Sequence, residues 1–124
     1  MKDISFVEDI KIKEILNRLQ DKMKEIFTDK LRNIILYGSY ARNDNTSESD
    51  MDIMVLVEEN EHYLRSYEEA ITDVMVDLSL EYGVVLSLYV QSIQEYERQV
   101  RVLPFVKNIQ REGIFCFTIF RNKL

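Results

Sequence analysis

Two aspartates one residue apart, Asp50 and Asp52, stand at the mouth of an apolar run, and a glycine-serine pair, Gly38-Ser39, closes the apolar run before it. Strand side chains alternate faces, so Asp50 and Asp52 are expected to project from one side and Met51 from the other. Two carboxylates held that close repel unless a cation neutralises them or one takes up a proton. A hard divalent metal is the natural occupant. Mg2+ prefers oxygen ligands, is held by one or two carboxylates and completes its shell with water and substrate phosphates; Mn2+ is the alternative. Gly38 lets a phosphate or another backbone come close, and Ser39 adds a hydroxyl donor where a helix can open with its free N–H groups facing an anion. Arg42, one helical turn past Ser39, either reaches a phosphate or only solvates the helix. If the two apolar runs pair as strands, a phosphate cradle and a metal clamp sit at adjacent strand ends, an arrangement suited to a nucleoside triphosphate and to phosphoryl or nucleotidyl transfer. The bland alternative is a pair of loop aspartates capping a strand, and it leaves the Gly-Ser element at its matching distance unexplained.

The elements that must position these residues follow from periodicity. Ser5-Phe6-Val7-Glu8 has the form of a capping box, and Ile12, Ile15, Leu16, Leu19, Met23, Ile26 and Phe27 then recur at helical spacing. "NIILY" (33–37) and "IMVLV" (53–57) read as buried strands, joined across the polar, turn-forming stretch "NDNTSES". "EENEH" reads as a solvated connector, and Ser66-Tyr67-Glu68-Glu69 as a second capping box opening a helix that Gly83 closes. "VVLSLYV" (84–90) is a third strand. Ser92-Ile93-Gln94-Glu95 caps a helix reaching about Val102, Pro104 starts a further helix that Gly113 ends, and "IFCFTIF" (114–120) is a last strand, too apolar to stay exposed unless it is a self-association edge. The expectation is an α/β (α+β) fold, a small mixed sheet with helices packed on it, as one domain over residues 1–124.

Composition bounds the function. With 46% hydrophobic residues, one proline and three glycines in 124 residues, the chain has the makings of a core and none of the marks of disorder. A formal charge of -6 argues against general attraction to nucleic acid or anionic membranes. A lone cysteine, Cys116, and an N-terminus without an uninterrupted apolar core favour the cytoplasm, and no apolar stretch is long enough to span a bilayer. Cys116, between Phe115 and Phe117, reads as a core residue, and His62, with no second His or Cys nearby, as a surface residue. Tyr63, Tyr67, Tyr82, Tyr89 and Tyr96 could stack a base, but their spacing suits core or interface, and none is assigned to the site.

"GSYARN" followed by "SDMDIMV" resembles the signature of polymerase-β-type nucleotidyltransferases, G-S-x-A-x-G then S-D-x-D-[LI]-x-V, in its minimal, antitoxin-like form. The motif covers about 20 residues, and "PFVKNIQREGI" is similar to the tails of these small proteins. The resemblance implies magnesium-dependent transfer of a nucleoside monophosphate, usually from ATP, onto an acceptor hydroxyl, with Gly38 and Ser39 holding the β- and γ-phosphates and Asp50 and Asp52 holding the metals. It also implies a partner: a helical toxin of the higher-eukaryote-and-prokaryote nucleotide-binding type, modified on tyrosine by this chain as antitoxin, in a homo- or hetero-complex.

Two departures stand out. Asn43 replaces a common glycine, a mild change because Asn tolerates left-handed backbone angles. More seriously, family enzymes commonly add a third carboxylate from a later strand, and "VVLSLYV" contains no Asp or Glu; its polar member before Tyr89 is Ser87, while Asp77, Glu81 and Glu112 are no obvious substitutes. Losing a general base costs on the order of 10²–10⁴-fold. The alternatives are therefore a module that regulates its partner by binding without turnover, and a small-molecule adenylyltransferase of the aminoglycoside-modifying kind.

Overall fold

In the computed structural model, which describes residues 2–119, one five-stranded mixed sheet carries helices on both faces. The chain runs β1 (Lys2–Asp3), α1 (Ile10–Phe27), β2 (Leu31–Tyr37), α2 (Ser39–Arg42), β3 (Met51–Val57), α3 (Glu61–Leu64), α4 (Glu68–Tyr82), β4 (Leu86–Ser92), α5 (Ile93–Gln99), α6 (Pro104–Glu112) and β5 (Ile114–Thr118). Strand order is β1-β5-β2-β3-β4. β2 lies antiparallel to both β3 and β5, whereas β3 and β4 are parallel, so the sheet is mixed as expected. Among the described residues no helix is long and apolar enough to cross a membrane.

The alternation of side chains along β2 and β3 divides the core. Ile34, Leu36, Met51, Ile53, Val55 and Val57 face α1 and α4, where they are buried with Ile15, Leu16, Leu19, Met23, Phe27 and Leu78. Ile35, Met54 and Leu56 face the other way and meet Ile93, Tyr96, Val106 and Ile109 of α5 and α6. The second layer is smaller, and it stops short of one end of the sheet.

Several local expectations need correction. Ser5 does not cap α1: it lies in a 3-10 turn (Ile4–Phe6) bonded to Asp3, and Asp9 caps the helix instead, its side chain accepting from the Ile12 N–H at 3.1 Å. Ser66 caps nothing either. The last two residues of "EENEH" already open a helix, with Asn60 as cap of α3, and a 3-10 turn (Arg65–Tyr67) carries the chain straight into α4, so Ser66 sits inside a helical path and donates to the Tyr63 carbonyl. A capping box in sequence fails where an earlier cap has already opened the helix. The third strand begins two residues later than expected, α5 ends at Gln99 rather than near Val102, and β1 has too few residues to leave a periodic signal.

Other features match. Gly83 closes α4 at φ +66° and ψ 27°, Ser92 caps α5 by accepting from the Glu95 N–H at 3.0 Å, and Pro104 and Gly113 bound α6. β5 lies between β1 and β2, so it is an interior strand rather than a self-association edge. Phe120, expected as the last residue of that strand, lies outside the described residues.

Candidate active site

β2 delivers the chain to Gly38, where φ of +74° and ψ of -153° turn the backbone sharply into α2. An L-residue is strained at that angle. Space demands glycine as well: a Cβ at position 38 would lie 2.6 Å from Oδ2 of Asp52. The turn that would cradle a phosphate and the carboxylate that would hold a metal are therefore in contact, although 14 residues separate them in sequence. α2 is a single turn, too short for an appreciable macrodipole. An anion placed here would meet backbone N–H groups and the Ser39 hydroxyl rather than a helix dipole. Asn43 closes α2 in the left-handed region at φ 61°, its N–H bonded to the Ser39 carbonyl. Asn thus does in this chain what the related signature assigns to glycine.

Across β2 and β3 the register pairs Tyr37 with Asp52, and across β3 and β4 it pairs Asp52 with Ser87. One row on one face therefore reads Tyr37, Asp52, Ser87, at the end of the sheet where the cover of α5 and α6 thins out, α6 reaching the Tyr37 ring through Phe105. Asp50 stands just outside β3, exposed, whereas Asp52 is half-buried within it. Burial, and then the negative charge of Asp50, push the Asp52 carboxyl above its usual range, with Arg42 opposing them. The Tyr37 phenol is raised too, first by burial and then by Asp52 and Tyr89.

This donor set fits a hard divalent cation. Its atoms are carboxylate oxygens, and Asp50 and Asp52 act on each other as like charges that a cation would relieve. Among the described residues, no group of three or more His, Cys, Asp or Glu side chains gathers in a way that could hold a metal. Ser87 is the register partner of Asp52 on β4, so a cation held by Asp50 and Asp52 would need water and substrate phosphates to complete its shell.

Arg42 stays near the site but is engaged. Its Nε lies 3.2 Å from Asp44 and its Nη1 3.9 Å from Glu112, and its charge acts on Asp52. Glu112 is thus drawn to Arg42 on the rim. His62 is exposed beside Tyr63, at the other end of the chain's path through β3, and Cys116 is mostly buried, its thiol pushed up to about 12 by burial. Sequence reasoning overlooked Tyr37, and it weighed Tyr89 as a base-stacking residue without assigning it to the site. Both face the way Asp52 faces, Tyr37 by direct register and Tyr89 two residues beyond Ser87; the spacing Ser87-x-Tyr89 on an assigned strand was the available signal.

The family model described as "Nucleotidyltransferase domain" matches residues 12–116. A Methanocaldococcus jannaschii protein provisionally designated protein adenylyltransferase MJ0604 is 34% identical over 106 residues, covering 86% of this chain and 94% of its own length. A second from the same organism, with the same provisional designation, is 29% identical over 105 residues, 85% of this chain and 98% of its own. Among solved structures, a chain of a toxin-antitoxin complex crystallised with AMP-PNP superposes with a TM-score of 0.56 at 18% identity, covering 84% of this chain and 73% of that one. A chain from the complex of tri-AMPylated Shewanella oneidensis HEPN toxin with MNT antitoxin gives a TM-score of 0.50 at 17% identity, covering 86% and 71%. At such identity the structures share the fold.

Proposed function

Because the chain belongs to the nucleotidyltransferase domain family and is a nucleotidyltransferase, we propose that it transfers AMP from ATP onto a hydroxyl of a partner protein, with Mg2+ or Mn2+ as the metal. The carrying observation is the contact between the Gly38 turn and Asp52, which brings the phosphate cradle against the carboxylate pair. Asp50 and Asp52 would hold the metal, whose charge, when bound, offsets that of the phosphates. Backbone N–H groups at Gly38 and Ser39 and the Ser39 hydroxyl take the β- and γ-phosphates, and Arg42 adds positive charge at the rim. The acceptor oxygen attacks the α-phosphorus. One O–P bond forms, the bond from the α-phosphorus to the bridging oxygen breaks, pyrophosphate leaves with the electron pair, and the hydroxyl proton passes to solvent.

The protein acceptor is supported by the provisional designation of the Methanocaldococcus jannaschii relatives. A helical toxin as that acceptor, this chain being its antitoxin, is supported by the complexes that share the fold, one with AMP-PNP and one with a tri-AMPylated toxin. The test is label transfer from α-labelled ATP with Mg2+ in the presence of the neighbouring gene's product. A labelled band that vanishes in the Asp50→Ala/Asp52→Ala variant is the expected result.

One observation favours a second reading, a module that regulates its partner by binding alone: Ser87, not a carboxylate, pairs with Asp52. Magnesium-dependent ATP binding with no labelled acceptor, and full neutralisation by Asp52→Asn, would favour that module.

A further inference from the structure

The face that carries Asp52 also carries exposed aromatic rings within one nucleotide's length of it. Tyr89 sits on the edge strand β4 two residues beyond Ser87, about 7 Å along the strand, and is 51% exposed. On the opposite side of β3, Phe105 at the start of α6 is 62% exposed and packs edge-on against Tyr37, with 6.1 Å between ring centroids. The two strands that bear or back these rings, β2 and β4, flank β3 and lie about 10 Å apart. Met54, the register partner of Tyr89 on the same face, is buried under α5 and α6, so an apolar side chain borders the ring on that side. Ser87, between Asp52 and Tyr89 on this face, is small and exposed and leaves the path from carboxylate to ring open.

We propose that Tyr89 and Phe105, backed by Tyr37, hold the nucleobase of the triphosphate, with base and ribose running along the sheet face from Asp52 toward α5 and α6. The inference rests on the nucleotidyl-transfer reading above. A base is tethered to its phosphates, so phosphates at Gly38 and Ser39 fix how far away it can lie. Other exposed aromatics fail on position. Phe6 lies beside Val7, Tyr40 and Ala41, which belong to the α1 side of the sheet, and Tyr63 is on α3, beyond the far end of β3. Stacking on phenol and phenyl rings tolerates any base, because every base has a π face.

The experiment compares Mg2+-ATP with Mg2+-tripolyphosphate, which has the phosphates and no base, by calorimetric titration of the wild-type chain, Tyr89→Ala, Tyr89→Phe and Phe105→Ala. Wild-type protein should bind ATP more tightly than tripolyphosphate. Tyr89→Ala and Phe105→Ala should each weaken ATP about 10-fold and leave tripolyphosphate unchanged, and Tyr89→Phe, which keeps the ring, should bind ATP as wild type does. Equal affinity of wild type for both probes, or an Ala variant that binds ATP normally while raising the acceptor's KM, would overturn the base site and leave the nucleotidyl-transfer reading standing. Binding of neither probe would overturn both. Circular dichroism of each variant separates lost stacking from lost folding.

Discussion

β3 presents two faces with opposite requirements. Met51, Ile53, Val55 and Val57 meet α1 and α4 and are excluded from water along the whole strand. On the reverse face only Met54 and Leu56 are covered, and Asp52 is left where the second layer stops. A two-residue period therefore sets a structural face against a chemical one within seven residues. Stability should depend on the first face and reactivity on the second, and mutations can separate them.

The largest separation is expected at Asp52. Asp52→Asn keeps the shape and removes a charge, so AMP transfer should fall about 10³-fold or more, measured as initial rate of label incorporation. Denaturation of the metal-free protein should show no loss of stability. One residue along and on the other face, Ile53→Ala removes a fully buried side chain, which typically costs about 2–5 kcal/mol in urea unfolding. Its transfer rate per folded molecule should stay close to wild type. A large rate loss in Ile53→Ala at temperatures where it is folded would show that the faces are not independent.

Two glycines sharpen the contrast. Gly38→Ala places a methyl 2.6 Å from Oδ2 of Asp52 at a left-handed φ, costing about 1–2 kcal/mol in backbone strain and displacing the carboxylate. Both stability and transfer should fall. At Gly113, φ is ordinary, and an added Cβ would meet the Ile109 carbonyl at 2.5 Å and Ile35 at 2.6 Å, beneath α6 and away from Asp52. Gly113→Ala should destabilise the fold while leaving Mg2+ affinity, followed by titration calorimetry, as in wild type.

The same contrast explains what was legible in the sequence. Ile34, Leu36, Ile53 and Val55 announce buried strands by type, and Gly38 with Asp50 and Asp52 marks the candidate site by spacing. The contact between Gly38 and Asp52 needed only the assumption that β2 and β3 pair. The role of Ser87 was half visible: its place on the third strand could be read, but its register against Asp52 depends on a parallel crossover through α3 and α4, whose geometry no local pattern encodes. Phe105 was out of reach for a related reason, since α6 comes onto Tyr37 through tertiary packing. Ser66 misled because Asn60 had already opened the helical path upstream, and Ser5 because Asp3 holds it in a 3-10 turn while Asp9, further along, caps α1.

The smallest effect tests the cost of the chemical face. The Asp52 carboxyl is raised above its ordinary 3.8, chiefly by burial and then by Asp50, so the folded chain binds that proton more tightly than the unfolded chain does. Stability from this group is therefore present at low pH, begins to fall as pH rises through the unfolded value, and is fully lost above the folded one. Asp52→Asn should match wild type at pH well below the unfolded value, where both forms are uncharged, and exceed it in Tm at neutral pH, with thermal melts in a chelator as the measurement. Adding Mg2+ should then raise the Tm of wild type toward and past that of the variant, because a cation between Asp50 and Asp52 removes the repulsion that the variant removes by losing the charge. If Asp52→Asn melts lower than wild type at neutral pH without metal, the carboxylate is stabilised by its surroundings rather than held at a cost, and the case for a cation there loses its electrostatic basis.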